Sequence, residues 1–220
     1  MRTAQNNPWP ISGLHPEPAT GTSVIFAAAP ATPGPLWRDN RSLCMPTDNQ
    51  GLSSKCVAYA WAGYAEVSRL VHHGIAEQID PEPIYARAKE LDGDDKDGTS
   101  LTQGFKACMD LGLFPSGSVC EYIYTANALR SAMFRAPYPG VVVSGFRITE
   151  GWIDTDPATG WIGSSSKPAG MHALLSCQFD GAGVGNQNSW DTTHGVHGFN
   201  RVSWPAFNKQ FYRGAVVRRP

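Results

Sequence analysis

Apolar residues in the first half of the chain recur every three to four positions. Ala60, Trp61, Tyr64, Val67 and Val71 share one face of a segment opening at Cys56, which predicts a largely buried helix from 56 to about 71. A second helix fits 83–91, with Ile84, Ala88 and Leu91 on one face. Leu101, Phe105, Cys108 and Met109 mark a third, capped by Thr99 or Ser100 and stopped by Gly112. A short fourth helix is predicted over 126–134, before Pro137-Tyr138-Pro139-Gly140. The pattern then changes. Residues 141–146, 171–177, the stretch leading to Trp190, 198–202 and 215–217 read as strands. Helices first and strands second imply an α+β fold, with a helical lobe over about 36–135, a β-rich lobe over about 136–220 and a cleft between them.

Residues 1–35 have a different character: rich in proline, poor in charge and without periodicity. Such a stretch is expected to be an extended tail outside any core. The sharper expectation is a short pro-segment that straps across the cleft and inhibits the protein, with Trp9, Ile11 and Leu14 as anchors. At roughly 3.3–3.6 Å per residue it is long enough to do so.

Composition narrows the class. With 220 residues, 41% of them hydrophobic, the chain can bury one substantial core or two lobes. A net charge of −1, with both signs dispersed, argues against a nucleic-acid-binding surface. No apolar run approaches the roughly 20 residues of a membrane span. The stretch 24–29 is too short for a signal sequence and lacks a preceding basic cluster. A cytoplasmic or virus-associated monomer, acting on a protein or peptide without metal or cofactor, is therefore expected. Cys108 and Cys177 lie in apolar runs and read as buried free thiols, and no CxxC pair suggests zinc. The acidic loop 92–98 resembles a calcium site, but aligning Gly98 with the loop glycine puts Gly93 and Gly104 where carboxylates are needed.

Four residues fit one catalytic site. Cys56 opens its helix, where unpaired N–H groups and the helix dipole favour a thiolate. His172 would pair with that thiolate as an imidazolium and serve as general acid and base. Asn188 would accept from the far ring nitrogen, and Gln50 would donate to an oxyanion beside the Cys56 N–H. Lys55, next to the thiol, would lower its pKa unless it points to solvent.

The order Gln, Cys, His, Asn and its local sequence resemble the papain-like cysteine peptidases. The resemblance rests on Asp48-Asn49-Gln50-Gly51, on Cys56 with Ala58-Tyr59-Ala60, on Gly170-Met171-His172-Ala173 and on Asn188-Ser189-Trp190 followed by Gly195 and Gly198-Phe199. It departs from the family at Ser53-Ser54-Lys55, where a cysteine-glycine triplet is usual, at Val57, and in a Cys-to-His interval below the roughly 130–150 residues of secreted members. The resemblance implies a two-lobed fold and a thiol endopeptidase working through a Cys56 acyl-enzyme. It further implies that Gly98, Thr99 and Ser100 form one wall of a peptide groove, that Gly170 and Met171 form the other, and that Trp190 shields the His172–Asn188 bond. Met171 would make a neighbouring pocket apolar. Two alternatives use the same residues: Cys–His chemistry on other amides, such as cell-wall peptides or transglutaminase-like acyl transfer, and a non-catalytic papain-like binding module.

Overall fold

The computed structural model describes residues 13–17, 24–26 and 37–220; the expected anchors Trp9 and Ile11 lie outside them. Helix α1 (Cys56–His73) is central, with Val57, Ala58, Trp61, Tyr64, Ala65 and Val67 fully buried. Gly74, at φ 70°, ends it, its N–H returning to the Leu70 carbonyl while the Ile75 N–H returns to that of Arg69. Helix α2 (Pro81–Asp92) starts before its apolar face does, because Asp80 caps the Glu82 N–H and Pro81 suits the first turn. In α3 (Leu101–Asp110) the cap is Ser100, which accepts from the Gln103 N–H. α1 and α3 touch at Gly104, where a Cβ would lie 2.4 Å from the Trp61 ring. Trp61 closes the contact by donating Nε1–H to the Leu101 carbonyl at 3.0 Å.

Eight strands among the described residues form one sheet. They are β1 (Val24–Ile25), β2 (Arg38–Asp39), β3 (Val119–Ile123), β4 (Val142–Thr149), β5 (Pro168–Phe179), β6 (Gly183–Gln187), β7 (Phe199–Ser203) and β8 (Phe211–Arg218). Their order is β1-β3-β8-β4-β5-β6-β7, with β2 added to the far end of β5, and every pairing but β1 with β3 is antiparallel. Helix α4 (Ala126–Phe134) matches its predicted span, with Thr125 as cap. Two elements escape the periodicity. β3 lies between α3 and α4 and pairs with the C-terminal β8, so the helices-then-strands order is not strict. α5 (Trp204–Gln210), capped by Ser203, fills the interval between the two last predicted strands, to which the periodicity assigns no element.

The whole assembly is an α+β fold in which α1 packs on β5. That packing sets the first residue of α1 against the middle of β5. No helix among the described residues is long and apolar enough to cross a membrane.

Candidate active site

Cys56, the first residue of α1, is 1% exposed, and its Sγ accepts from the Ala173 N–H at 3.4 Å. His172, one residue earlier on β5, is held opposite Phe146 of β4 and is equally buried. Its Nε2–H donates to Asn188 Oδ1 at 2.8 Å. That bond fixes the tautomer and leaves Nδ1 as the basic nitrogen. Asn188 follows β6, and its Oδ1 also accepts from the Ser189 N–H at 2.8 Å, so it cannot swing away freely. The indole of Trp190, fully buried, stacks on His172 with centroids 4.5 Å apart and screens the bond from water.

Gln50 is brought to the same place by a turn against the 188–190 segment. Its N–H donates to the Ser189 carbonyl at 2.9 Å, and Ser189 Oγ–H donates to its Oε1 at 2.5 Å. Its Nε2 donates to the Ser53 carbonyl at 2.6 Å, which directs the amide toward the segment leading into Cys56. Ser189 is thus a positioning residue that sequence reasoning passed over. Its only signal was adjacency to Asn188.

The expected thiolate–imidazolium pair is not what this state holds. Burial pushes the Cys56 thiol up to about 12 and the His172 imidazole down to about 4, so both are neutral. No hydrogen bond joins the two side chains. Burial and neighbouring His172 also hold His194 at about 4; it lies edge-on to Trp190 at 5.0 Å, behind the site rather than lining the cleft. Lys55 has no part in this. Its ammonium is bonded to Glu82 at 2.6 Å and lies 5.5 Å above the Tyr85 ring, tied to α2.

The N-terminal segment lies over Cys56. Gly13 N–H donates to the Met171 carbonyl at 3.3 Å, Thr99 N–H to the Gly13 carbonyl at 2.9 Å, and His15 N–H to the Thr99 carbonyl at 2.8 Å. Leu14 and Thr99 therefore form a parallel bridge. A Cβ on Gly13 would lie 2.6 Å from the Ser54 carbonyl and 2.9 Å from Cys56 Sγ, so only glycine passes there. Gly98, at φ 87°, makes the matching allowance on the other side, its virtual Cβ 2.5 Å from the Gly13 carbonyl. Leu14, 2% exposed, fills a pocket floored by Gly145, where a Cβ would meet Leu14 Cδ2 at 2.6 Å.

Gly98, Thr99 and Met171 accordingly flank one cleft, and Gly170 precedes Met171 on β5. Of the two caps expected for α3, Ser100 is the one used, its hydroxyl accepting from the Gln103 N–H at 3.1 Å. The acidic loop is held by charge, Lys89 reaching Asp92 at 3.2 Å and Asp94 at 2.7 Å.

This architecture is the fold of the papain-like cysteine proteases. Among solved structures the chain is similar to xylellain, a cysteine protease from Xylella fastidiosa, with a TM-score of 0.77 and 16% identity over 96% of this chain and 97% of that one. It is also similar to the proform of Amb a 11, a cysteine protease and major ragweed pollen allergen, with a TM-score of 0.66 and 14% identity over 90% and 70% of the two chains. A third is procathepsin L 3, a digestive protein of the Tenebrio molitor larval midgut, with a TM-score of 0.60 and 16% identity over 81% and 67%. No family model and no curated protein matches the chain.

Proposed function

We propose that the protein is a cysteine endopeptidase whose N-terminal segment is its inhibitor. The observation that carries this reading is an extended peptide, residues 13–15, hydrogen-bonded to both walls of a cleft directly over a cysteine flanked by a His–Asn pair.

With the strap displaced, water returns to the cleft and the burial that keeps Cys56 and His172 neutral is relieved. The proton moves from Cys56 Sγ to His172 Nδ1, while Asn188 retains the Nε2–H bond. The thiolate attacks the scissile carbonyl carbon. The oxyanion accepts from the Cys56 N–H, which as the first of the helix has no intrahelical partner, and from the second N–H of Gln50 Nε2. His172 then gives its proton to the departing amine, leaving a thioester on Cys56. Water, deprotonated by His172, attacks that thioester and releases the acid and the free thiol.

The strap escapes this fate by its placement. The Gly13 carbonyl is taken by Thr99, whereas the Gln50 amide is bonded to Ser53 and Ser189. The Leu14 pocket supports a preference for an apolar side chain in the substrate. The five free thiols suit a reducing compartment, which supports a cytoplasmic setting.

The test is peptide hydrolysis by the full chain. Fluorogenic peptides carrying an apolar anchor are expected to be cut at least about tenfold faster by Gly13→Val than by the native chain, since a valine cannot pass over Sγ. Adding Cys56→Ala or His172→Ala should remove turnover by about a thousandfold or more. If Gly13→Val, shown folded by circular dichroism, cuts no peptide in a diverse library, the peptidase reading is wrong.

A further inference from the structure

Beyond Leu14 the strap reaches Glu17, and there it is held by its side chain. Glu17 Oε2 accepts from Arg213 Nη2 at 2.7 Å and from Thr102 Oγ1 at 2.5 Å, and Oε1 accepts from the Thr102 N–H at 3.2 Å. The Tyr212 hydroxyl accepts from the Glu17 N–H at 2.7 Å and donates to the Glu17 carbonyl at 2.6 Å.

Arg213, on β8, is 2% exposed, its guanidinium 4.3 Å from the centroid of the Tyr122 ring. A cation so buried is strongly unfavourable without a carboxylate. Among the described residues Glu17 is the only carboxylate paired with it. Glu121, on the neighbouring strand, is committed to Arg218 at 2.6 Å and to the Tyr138 hydroxyl at 2.5 Å. Arg213 Nε, buried, has no partner at all. Thus the peptidase body holds a guanidinium whose counterion arrives on the strap, with its Nε–H unfilled. Glu17, Thr102 and Tyr122 line a groove of about 640 Å³, which Lys106 also borders, so the place opens to solvent beside the strap.

Resting on the reading of this cleft as a peptide-binding one, we propose that Arg213 is a recognition subsite for an acidic side chain of the substrate, filled here by Glu17. When the strap leaves, its carboxylate leaves with it, and a bound peptide that supplies another restores a charge-assisted pair in a site walled by tyrosines. A glutamine in the same place offers an acceptor without charge, and a lysine brings like charge against Arg213. The substrates selected are then extended segments in which an apolar residue fills the Gly145 pocket and an acidic residue lies a few positions away, as Leu14 and Glu17 do.

The test uses the full chain carrying Gly13→Val and Glu17→Gln, so that its own strap neither fits over the thiol nor supplies a carboxylate. Fluorescent peptides with the sequence of residues 11–18, bearing Glu, Gln or Lys in the place of Glu17, are titrated by anisotropy against this protein with Cys56→Ala added. Glu is expected to bind about tenfold tighter than Gln, with Lys weakest. Arg213→Gln in the same background should erase the difference; it leaves a neutral pair of amides rather than a stranded charge. A library with Glu or Gln at each position around an apolar anchor is cut by the Cys56 form in parallel. Equal dissociation constants for Glu and Gln peptides would overturn the subsite, whether or not peptides are cut. Glu-dependent binding without turnover would keep the subsite and reject the peptidase.

Discussion

At the scale of single residues, the state of the Cys56 thiol is set by what lies over it. Cys56 begins a helix, which by itself lowers a thiol pKa, yet burial pushes it up to about 12. Desolvation wins because residues 13–15 exclude water and no hydrogen bond from His172 repays the loss. Gly13 is the residue that permits this, its absent Cβ leaving room for Cys56 Sγ. Gly13→Val should therefore convert an inert thiol into a reactive one. Iodoacetamide at pH 5.5, with alkylation mapped over all five cysteines, is expected to label Cys56 of Gly13→Val at least about tenfold faster than in the native chain. Adding His172→Ala should abolish the gain. Labelling of Cys56 at the native rate in the folded variant would show that residues 13–15 do not control it. Lys55→Ala should leave these rates unchanged, because its ammonium is already bound to Glu82.

At the scale of elements, helix α1 carries a charge problem inside its buried face. Glu66 is 4% exposed and accepts from the Ile79 N–H at 2.8 Å, and burial raises its carboxyl to about 7. The folded chain therefore keeps a proton between about pH 4.5 and 7 that the unfolded chain releases, so this contribution is full below about 4.5 and is lost as pH rises through 7. Glu66→Gln, which keeps an acceptor for Ile79 without the charge, should flatten that slope and add up to about 3 kcal/mol near pH 8. Urea midpoints at pH 5 and 8 decide it; an unchanged slope in the variant would mean that another group dominates. Glu66 was hidden in the sequence by the apolar residues around it, whereas α1 itself was plain from Trp61, Tyr64 and Val67. The same contrast runs through the fold. α4 and the β5 core were legible because their apolar residues recur at one period. β3 was missed because Glu121 sits in the middle of it, buried by partners on β8 and beyond. α5 was missed because its start depends on a Ser203 cap beside Pro205, a local device with too few residues for a period. At the site, Cys56, His172, Asn188 and Gln50 could be picked out by order and neighbours. Ser189 and Arg213 depend on contacts far apart in sequence, which no local pattern encodes.

At the scale of the whole molecule, the strap ties together three elements: Thr99 before α3, Met171 on β5 and Arg213 on β8. Closure and the ionisation of the site are therefore linked. In the closed cleft His172 titrates near 4, whereas a hydrated imidazole titrates near 6.5. Between those values the open form takes up a proton that the closed form refuses, so closure has its full support above about pH 6.5 and loses it as pH falls toward 4. The loss amounts to about 3 kcal/mol at the acid end, enough to raise the open fraction about a hundredfold. Cys56, pushed up to about 12, is a thiol in the closed cleft; where opening passes its proton to His172 the pair takes up none from solvent, so the fall in protection reads the open forms in which Cys56 keeps its proton. Glu66 acts with the opposite sign, since acid strengthens its contribution to the fold as a whole. Acid is thus expected to open the cleft locally while this part of the body grows more stable. Hydrogen exchange of the His15 and Thr99 amides, which bond the strap to its wall, measures the opening directly. After correction for intrinsic rates, their protection should fall between pH 7.5 and 5.0 while that of the Trp61 and Tyr64 amides does not, and His172→Gln should flatten the fall. Protection at His15 and Thr99 that is independent of pH would uncouple the strap from His172 and leave peptide competition as the way the cleft is opened.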